Sequence, residues 1–464
     1  MGYTVRSWEA EAAPPQALGA FLDMLAGLGY NNLSLDIAWA DVEPQPGQYD
    51  FSLYDRLLAV AEERGFTLQL KLNTRALPPW IGEDKLVRDP DGNLPGGTAF
   101  HTLADPEVNA QIAAFARAVA EHYRGRPNLF YCGAFAVSFE TEYHHSIWTD
   151  YSEPALRQFR AFLRTQYDAI ADLNAAWETT YPSFDDLQFE FRGQCRSLTD
   201  RRYVDFQRYR EDAAGRFFDA VADAVHAGDP EAKYGPQVGR IFSPECIRRG
   251  TVSVFRWARH CDVIFIDPAP LDDYPWSLAV PRASGKLIAV ELDGVYAYRR
   301  DGLLPRLAEV YAEQTRLSFE HGASYVAHAN WGPQEFGELQ DVFPLCATAK
   351  QVPPRRTVAT TAIYVSKWDE YCYEGRRGEP ASQAAQRLFG ELLAAGTAAD
   401  IISDDLFTED PAFLERYDRI HVPGGQVISA AAWEALHRCR ADVVVAPGLG
   451  PFVDELGEHE WPVW

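Results

Sequence analysis

Short apolar runs alternate with amphipathic helical stretches over roughly the first 350 residues, and about eight such strand–helix units can be counted. The alternation predicts an α/β chain with a parallel sheet, and the count predicts a (β/α)8 TIM barrel. After a Pro353-Pro354-Arg355-Arg356 linker the pattern restarts on a smaller scale, which predicts a small α/β, flavodoxin-like C-terminal domain. The expected boundaries are 1–350 for the barrel and 357–464 for the second domain.

Each unit has its own signals. Ala17 to Gly29 carries apolar residues at helical spacing and stops at glycine, and Leu33-Ser34-Leu35-Asp36-Ile37-Ala38-Trp39 alternates as a strand. Leu53 to Arg64 is a helix stopped by Gly65, followed by the strand Phe66 to Leu72. The prolines and glycines between Leu77 and Gly97 predict a long irregular loop at that strand's carboxyl end. A helix over Pro106–Tyr123 leads to the apolar strand Ala134–Phe139. Glu153 to Arg210 is an excursion with helical runs at Leu156–Tyr167 and Leu173–Trp177, and Ala213–His226 is the next helix. Strands follow at Tyr234–Val238, Cys261–Asp267, Lys286–Gly294 and Ala323–Gly332, with a helix Leu303–His321 before the last. In the second domain, strands are expected at Thr361–Val365, Ile420–Pro423 and Asp442–Ala446, and helices at Ala381–Leu393 and Ala430–Cys439.

A formal net charge of −24 and a pI near 4.9 exclude nucleic acid and anionic membrane as expected partners, because either demands a basic surface. A neutral substrate fits better, and 13% aromatic content, with 12 Trp and 22 Tyr, suits sugar rings. The seven cysteines are scattered, with no C-x-x-C pair, which implies reduced thiols and a cytoplasmic chain. The N-terminal residues lack an apolar signal core, and no apolar run is long enough to span a membrane.

Two apolar strands run out into acids. One is Phe139-Glu140-Thr141-Glu142-Tyr143-His144-His145; the other is Val290-Glu291-Leu292-Asp293. Glutamate is disfavoured in strands and expensive to bury unpaired. Acids at strand carboxyl ends are what a parallel barrel places at its catalytic face. Two carboxylates across a barrel mouth suit glycoside hydrolysis, one protonated to donate to the leaving oxygen and one ionised to attack the anomeric carbon. Adjacent histidines on a strand point apart, and no Gly-rich phosphate loop stands out, so neither metal nor cofactor is expected.

Several motifs occur together: Trp39-x-x-Val42-Glu43-Pro44-x-Pro46-Gly47-x-Tyr49-x-Phe51, Pro78-Pro79-Trp80-Ile81, Phe159-Arg160-x-Phe162-Leu163, Leu173-Asn174-x-x-Trp177 and His321-Gly322-Ala323. On these residues the chain resembles the retaining β-glycosidases on (β/α)8 barrels, most closely the family 42 β-galactosidases, with the first motif shared by family 35. The resemblance covers nearly the whole chain. It implies a retaining exo-β-glycosidase, β-galactosidase-like, acting on a neutral oligosaccharide or glycoside without a cofactor. Glucosides, fucosides and arabinopyranosides are alternative substrates, and a non-catalytic carbohydrate-binding or assembly protein on the same barrel is the reading from a different class. The family's acid-Asn-Glu-Tyr motif falls on Glu140-Thr141-Glu142-Tyr143, which makes Glu142 the acid/base; a shift of two residues would make it Glu140. Thr141 stands where an asparagine is expected to reach the sugar 2-hydroxyl. The nucleophile carries over to Glu291, with Asp293 as its rival, and Trp331 to the aromatic platform under the sugar. Tyr143, His144, Arg75, Asp267 and Asn330 are further cleft candidates. The family's zinc cysteines have no counterparts between Tyr143 and Tyr151. The second domain resembles a shortened trimerisation domain, which implies a homo-oligomer, dimer or trimer.

Overall fold

Eight parallel strands carry the first part of the chain: β1 (Gly2–Val5), β2 (Asn32–Ala38), β3 (Thr67–Asn73), β4 (Phe130–Ala134), β5 (Gln237–Val238), β6 (Val263–Ile266), β7 (Leu287–Leu292) and β8 (Tyr325–Ala329). The computed structural model describes residues 2–5, 15–126, 129–134, 148–189, 199–239, 241–242, 251–329, 341–349, 358–372 and 379–462. The strand order is β4-β3-β2-β1-β8-β7-β6-β5, with β1 lying beside β8. This is the strand succession of a (β/α)8 barrel. A second sheet of four parallel strands, β9 (Thr361–Tyr364), β10 (Ala399–Ile402), β11 (Arg419–Val422) and β12 (Asp442–Val445), runs in the order β10-β9-β11-β12.

The alternating strands divide their side chains between two interiors. Leu33, Leu35 and Ile37 of β2, Leu68, Leu70 and Leu72 of β3, and Ile288, Val290 and Leu292 of β7 belong to the main core with the surrounding helices. The opposite faces line the barrel. There Val263, Phe265, Ala289 and Ala327 form a small apolar cluster of their own. Asn32, Ser34, Asp36, Gln69, Lys71, Asn73 and Glu291, all polar, are also buried.

Helix ends follow their local signals. Gly29 (φ 87°) and Gly65 (φ 72°) adopt the left-handed conformation just past the helices Pro15–Gly27 and Ser52–Glu62. Asp105 caps Pro106–His122 by accepting from the Glu107 and Val108 amides. Two strands were missed and two helix expectations need correction. β1 and β10 were not foreseen, since each is only four residues long. The helix expected from Ala213 begins at Arg201 and runs to Gly228. The helix expected over Leu303–His321 is a 3-10 turn, Leu304–Arg306, followed by Leu307–Glu320. The linker at 353–356 and most of the apolar strand beyond Ala134 lie outside the described residues.

The charged start of the Arg201–Gly228 helix is buried by the excursion that precedes it. Asp205 accepts from Trp177 Nε1 (2.9 Å) and the Tyr167 hydroxyl, and Arg201 and Arg208 flank it. Phe159 stacks on Trp177 and Phe189. Asn174 clasps Tyr181 through both its backbone N–H and its carbonyl. The motifs Phe159-Arg160-x-Phe162-Leu163 and Leu173-Asn174-x-x-Trp177 are therefore packing motifs.

The two sheets share a core. Ile363, Val365, Trp368, Tyr371 and Phe389 of the second sheet and its helices belong to the same apolar cluster as the barrel. Trp276 meets Phe389 edge-on at 5.8 Å, and Arg282 reaches both Asp400 (3.0 Å) and the Ala399 carbonyl (2.6 Å).

Burial raises the carboxyl pKa of Asp150, Asp205, Asp404, Glu211 and Glu455 above the ordinary range. An acid raised in the folded state contributes most stability below its unfolded pKa, and that contribution falls as pH rises through the folded value. Burial also pushes His328 down to about 3, so this histidine disfavours folding only below its unfolded pKa of 6.5. Ionising these acids as pH rises therefore costs stability, and protonating His328 in the unfolded chain as pH falls costs it from the other side.

Candidate active site

Glu291 is the penultimate residue of β7, on its inward face, and is 1% exposed. Lys71, inward on β3 and fully buried, donates from Nζ to Glu291 Oε2. β3 and β7 stand four places apart in the order of eight strands, so the pair spans the barrel from opposite walls. The ammonium also lies 5.3 Å from the centre of the Phe265 ring on β6. Asp36 of β2 pairs in register with Lys71 and is likewise buried. The barrel interior at this level is thus an acidic chamber with a lysine reaching across it.

Loops at the carboxyl ends of the strands are fixed by two scaffolds. Beyond β2, the buried Glu43 accepts from Trp39 Nε1 (2.6 Å) and the Gly47 amide (2.7 Å), while its carbonyl accepts from Trp80 Nε1 (3.0 Å). Trp39 and Trp80 meet edge-to-face at 5.4 Å. The two motifs carrying these tryptophans therefore lock the loops after β2 and β3 to each other. Beyond β6 and β7, Tyr298 stacks on Tyr311 at 4.3 Å. Tyr311 donates to the Asp293 carbonyl, Tyr298 to Gln314, and Gln314 Nε2 to the Pro270 carbonyl (2.8 Å). Burial raises the Tyr274 and Tyr298 phenols well above their usual range, so they remain neutral donors.

Of the candidates read from sequence, Glu291 and Asp267 lie at the carboxyl ends of the adjacent strands β7 and β6. Asp267 is half-buried and continues the ladder by donating its amide to the Val238 carbonyl (2.9 Å). Asp293, the rival of Glu291, is half-buried in the loop beyond β7. Arg75 is exposed just past β3, with its guanidinium 5.8 Å from the Phe100 ring. Glu140, Thr141, Glu142, Tyr143, His144, Asn330 and Trp331 lie outside the described residues. Lys71 was missed, because on the alternating strand Thr67–Asn73 it is one of several regularly spaced polar residues. Among the described residues, no three His, Cys, Asp or Glu side chains gather closely enough to hold a metal ion, and no helix is long and apolar enough to cross a membrane.

A barrel of this strand order, with an acid near the end of β7, meets its counterparts in known proteins. The sequence model of glycoside hydrolase family 42, described as β-galactosidase, matches residues 9–282, more than half of the chain. The chain belongs to family 42. Among curated relatives of this family 42 chain, β-galactosidase LacZ of Heyndrickxia coagulans is 24% identical over 261 residues, 54% of this chain and 37% of that protein. β-Galactosidase BbgII of Bifidobacterium bifidum is 28% identical over 214 residues, 44% of this chain and 30% of that protein. The matched stretch thus spans about a third of these relatives' lengths. In fold, the chain is similar to the crystal structure of β-galactosidase from the psychrophilic Marinomonas ef1, with a TM-score of 0.75 at 17% identity, covering 98% of this chain and 76% of that one. The β-galactosidase from Bacillus circulans sp. alkalophilus gives 0.75 at 18% identity, covering 98% and 72%. Both alignments extend over the second sheet as well as the barrel.

Proposed function

We propose that this family 42 chain is a retaining exo-β-glycosidase, β-galactosidase-like, that removes terminal sugars from a neutral glycoside. Glu142 protonates the glycosidic oxygen as Glu291 attacks the anomeric carbon; the resulting glycosyl-enzyme is hydrolysed by a water that Glu142 deprotonates. Glu140 is the alternative acid and Asp293 the alternative nucleophile. Thr141, Tyr143, Asp267, Arg75, Asn330 and Trp331 are assigned to sugar binding. The observation that carries the reading is the placement of Glu291: an acid at the inward, carboxyl end of β7, kept beside a cation. The four parallel strands β9 to β12 support a flavodoxin-like second domain, which we assign to docking between copies of the chain.

The near-complete burial of Glu291 favours a second reading, a carbohydrate-binding barrel without catalysis. A panel of nitrophenyl β-galactoside, glucoside, fucoside and arabinopyranoside separates the two and identifies the sugar. Release of nitrophenol, greatest from the galactoside, is expected. Binding without release from any member would support the second reading.

A further inference from the structure

The double displacement as written leaves Lys71 without a role, yet full burial of an ammonium is costly unless something requires it. We propose that Lys71 is a positioning residue that holds Glu291 ionised for attack and stabilises it again as the leaving group of the glycosyl-enzyme. The inference rests on the retaining reading with Glu291 as nucleophile.

The geometry confines the cation to this task. Lys71 and Glu291 have side-chain exposures of 0% and 1%, so solvent does not screen their contact. An unscreened ammonium within hydrogen-bonding reach favours negative charge on its partner oxygen. Phe265 presents its ring to Nζ from β6, fixing the end of a flexible side chain. Among the described residues, the other titratable groups around this chamber are acids: Asp36 faces in from β2, and Asp267 and Asp293 follow β6 and β7. Removing the cation would leave the Glu291 carboxylate without its counter-charge.

The chemistry gives the two half-reactions opposite sensitivities. In the first, a Glu291 oxygen bonds to the anomeric carbon, the aglycone oxygen leaves with a proton from the acid residue, and Lys71 loses its counter-charge. In the second, water bonds to the same carbon, its proton passes to the acid residue, and the electron pair of the ester bond returns to Glu291 beside Lys71. Without the ammonium, Glu291 becomes more basic and a poorer leaving group, so the second step slows more than the first.

The test uses the full chain with nitrophenyl and dinitrophenyl β-galactosides. First, an activated 2-deoxy-2-fluoro-β-galactoside should label Glu291 of the unmodified protein, located by peptide mass. A label on another residue overturns the nucleophile reading and this proposal with it. Given that label, Lys71→Met should move the acid limb of the kcat/KM profile up by about one pH unit or more. It should also lower kcat and KM together, with a nitrophenol burst as the glycosyl-enzyme accumulates. Lys71→Arg, which retains the cation, should keep the acid limb near its original position and show no burst. If the methionine variant fails to fold, Lys71→Gln keeps a donor without the charge and carries the same expectation. With Glu291 labelled, an unmoved acid limb and no burst in the uncharged variants would overturn the positioning role alone.

Discussion

Glu291→Gln is expected to reduce hydrolysis of an aryl β-galactoside by on the order of 10⁴-fold or more, because it removes the proposed nucleophile and with it the covalent route. The same substitution should also destabilise the fold. Lys71 is fully buried and would face an amide in place of a carboxylate. Breaking one side of a buried ion pair costs about 3–5 kcal/mol, whereas replacing both sides is often close to neutral. The double variant Lys71→Met, Glu291→Gln should therefore be more stable than Glu291→Gln alone while remaining inactive. Steady-state rates and denaturant midpoints of the original protein, the two single variants and the double variant check both halves. Activity within tenfold of the original in Glu291→Gln would remove this residue from the mechanism. Simple additivity of the stability changes would mean that the buried contact is energetically idle.

Lys367→Met is expected to loosen the second sheet from the barrel. Lys367 Nζ bridges Glu211 of the long barrel helix (2.9 Å) and Asp405 beyond β10 (2.6 Å), with side-chain exposures of 8%, 11% and 12% respectively. Ser253 and the Tyr371 hydroxyl meet at 2.9 Å beside it, and Ser253 also donates to Glu211. Methionine would leave two buried carboxylates facing each other, again at a cost of about 3–5 kcal/mol. Burial already raises the Glu211 pKa against the pull of Lys367, so loss of the lysine should raise it further. The defect should therefore shrink as pH falls and Glu211 takes up a proton. Denaturant unfolding at two pH values, with limited proteolysis as a second readout, tests this. An unchanged midpoint, or a defect that grows on acidification, would refute it.

The fold was largely legible because its signals are local. Gly29 and Gly65 end helices in the left-handed conformation, and the apolar faces of β2, β3 and β7 keep strict alternation. Local signals fail where tertiary packing decides. Asp205 and Arg210 gave the start of the Arg201–Gly228 helix no apolar periodicity, yet Asp205 is buried against Tyr167 and Trp177 and Arg210 against Trp148 and Phe206. β10 is only Ala-Asp-Ile-Ile, too short for periodicity to register. The site was half legible for a related reason. The polar residues of an alternating strand are ordinarily assigned to solvent. In a closed barrel they point at one another, so Asp36 and Lys71, to which the strand pattern attaches no role, are buried inside it. Glu291 could be found because it sat next to a strand end; Lys71 could not, because its meaning depends on a partner 220 positions away in the chain.

The shared core between the two sheets bears on how the chain can be handled. Trp368, Tyr371 and Phe389 are side chains of the second sheet's helices by sequence but members of the barrel's outer apolar core by contact. Cutting the chain between β8 and β9 would expose an apolar seam on the barrel's outer helices, around Trp276. A fragment ending there would be prone to self-association through that seam. Grafting the barrel onto another partner therefore requires transplanting a matching lining from the second sheet, or recoding the helix Tyr274–Arg282 for water.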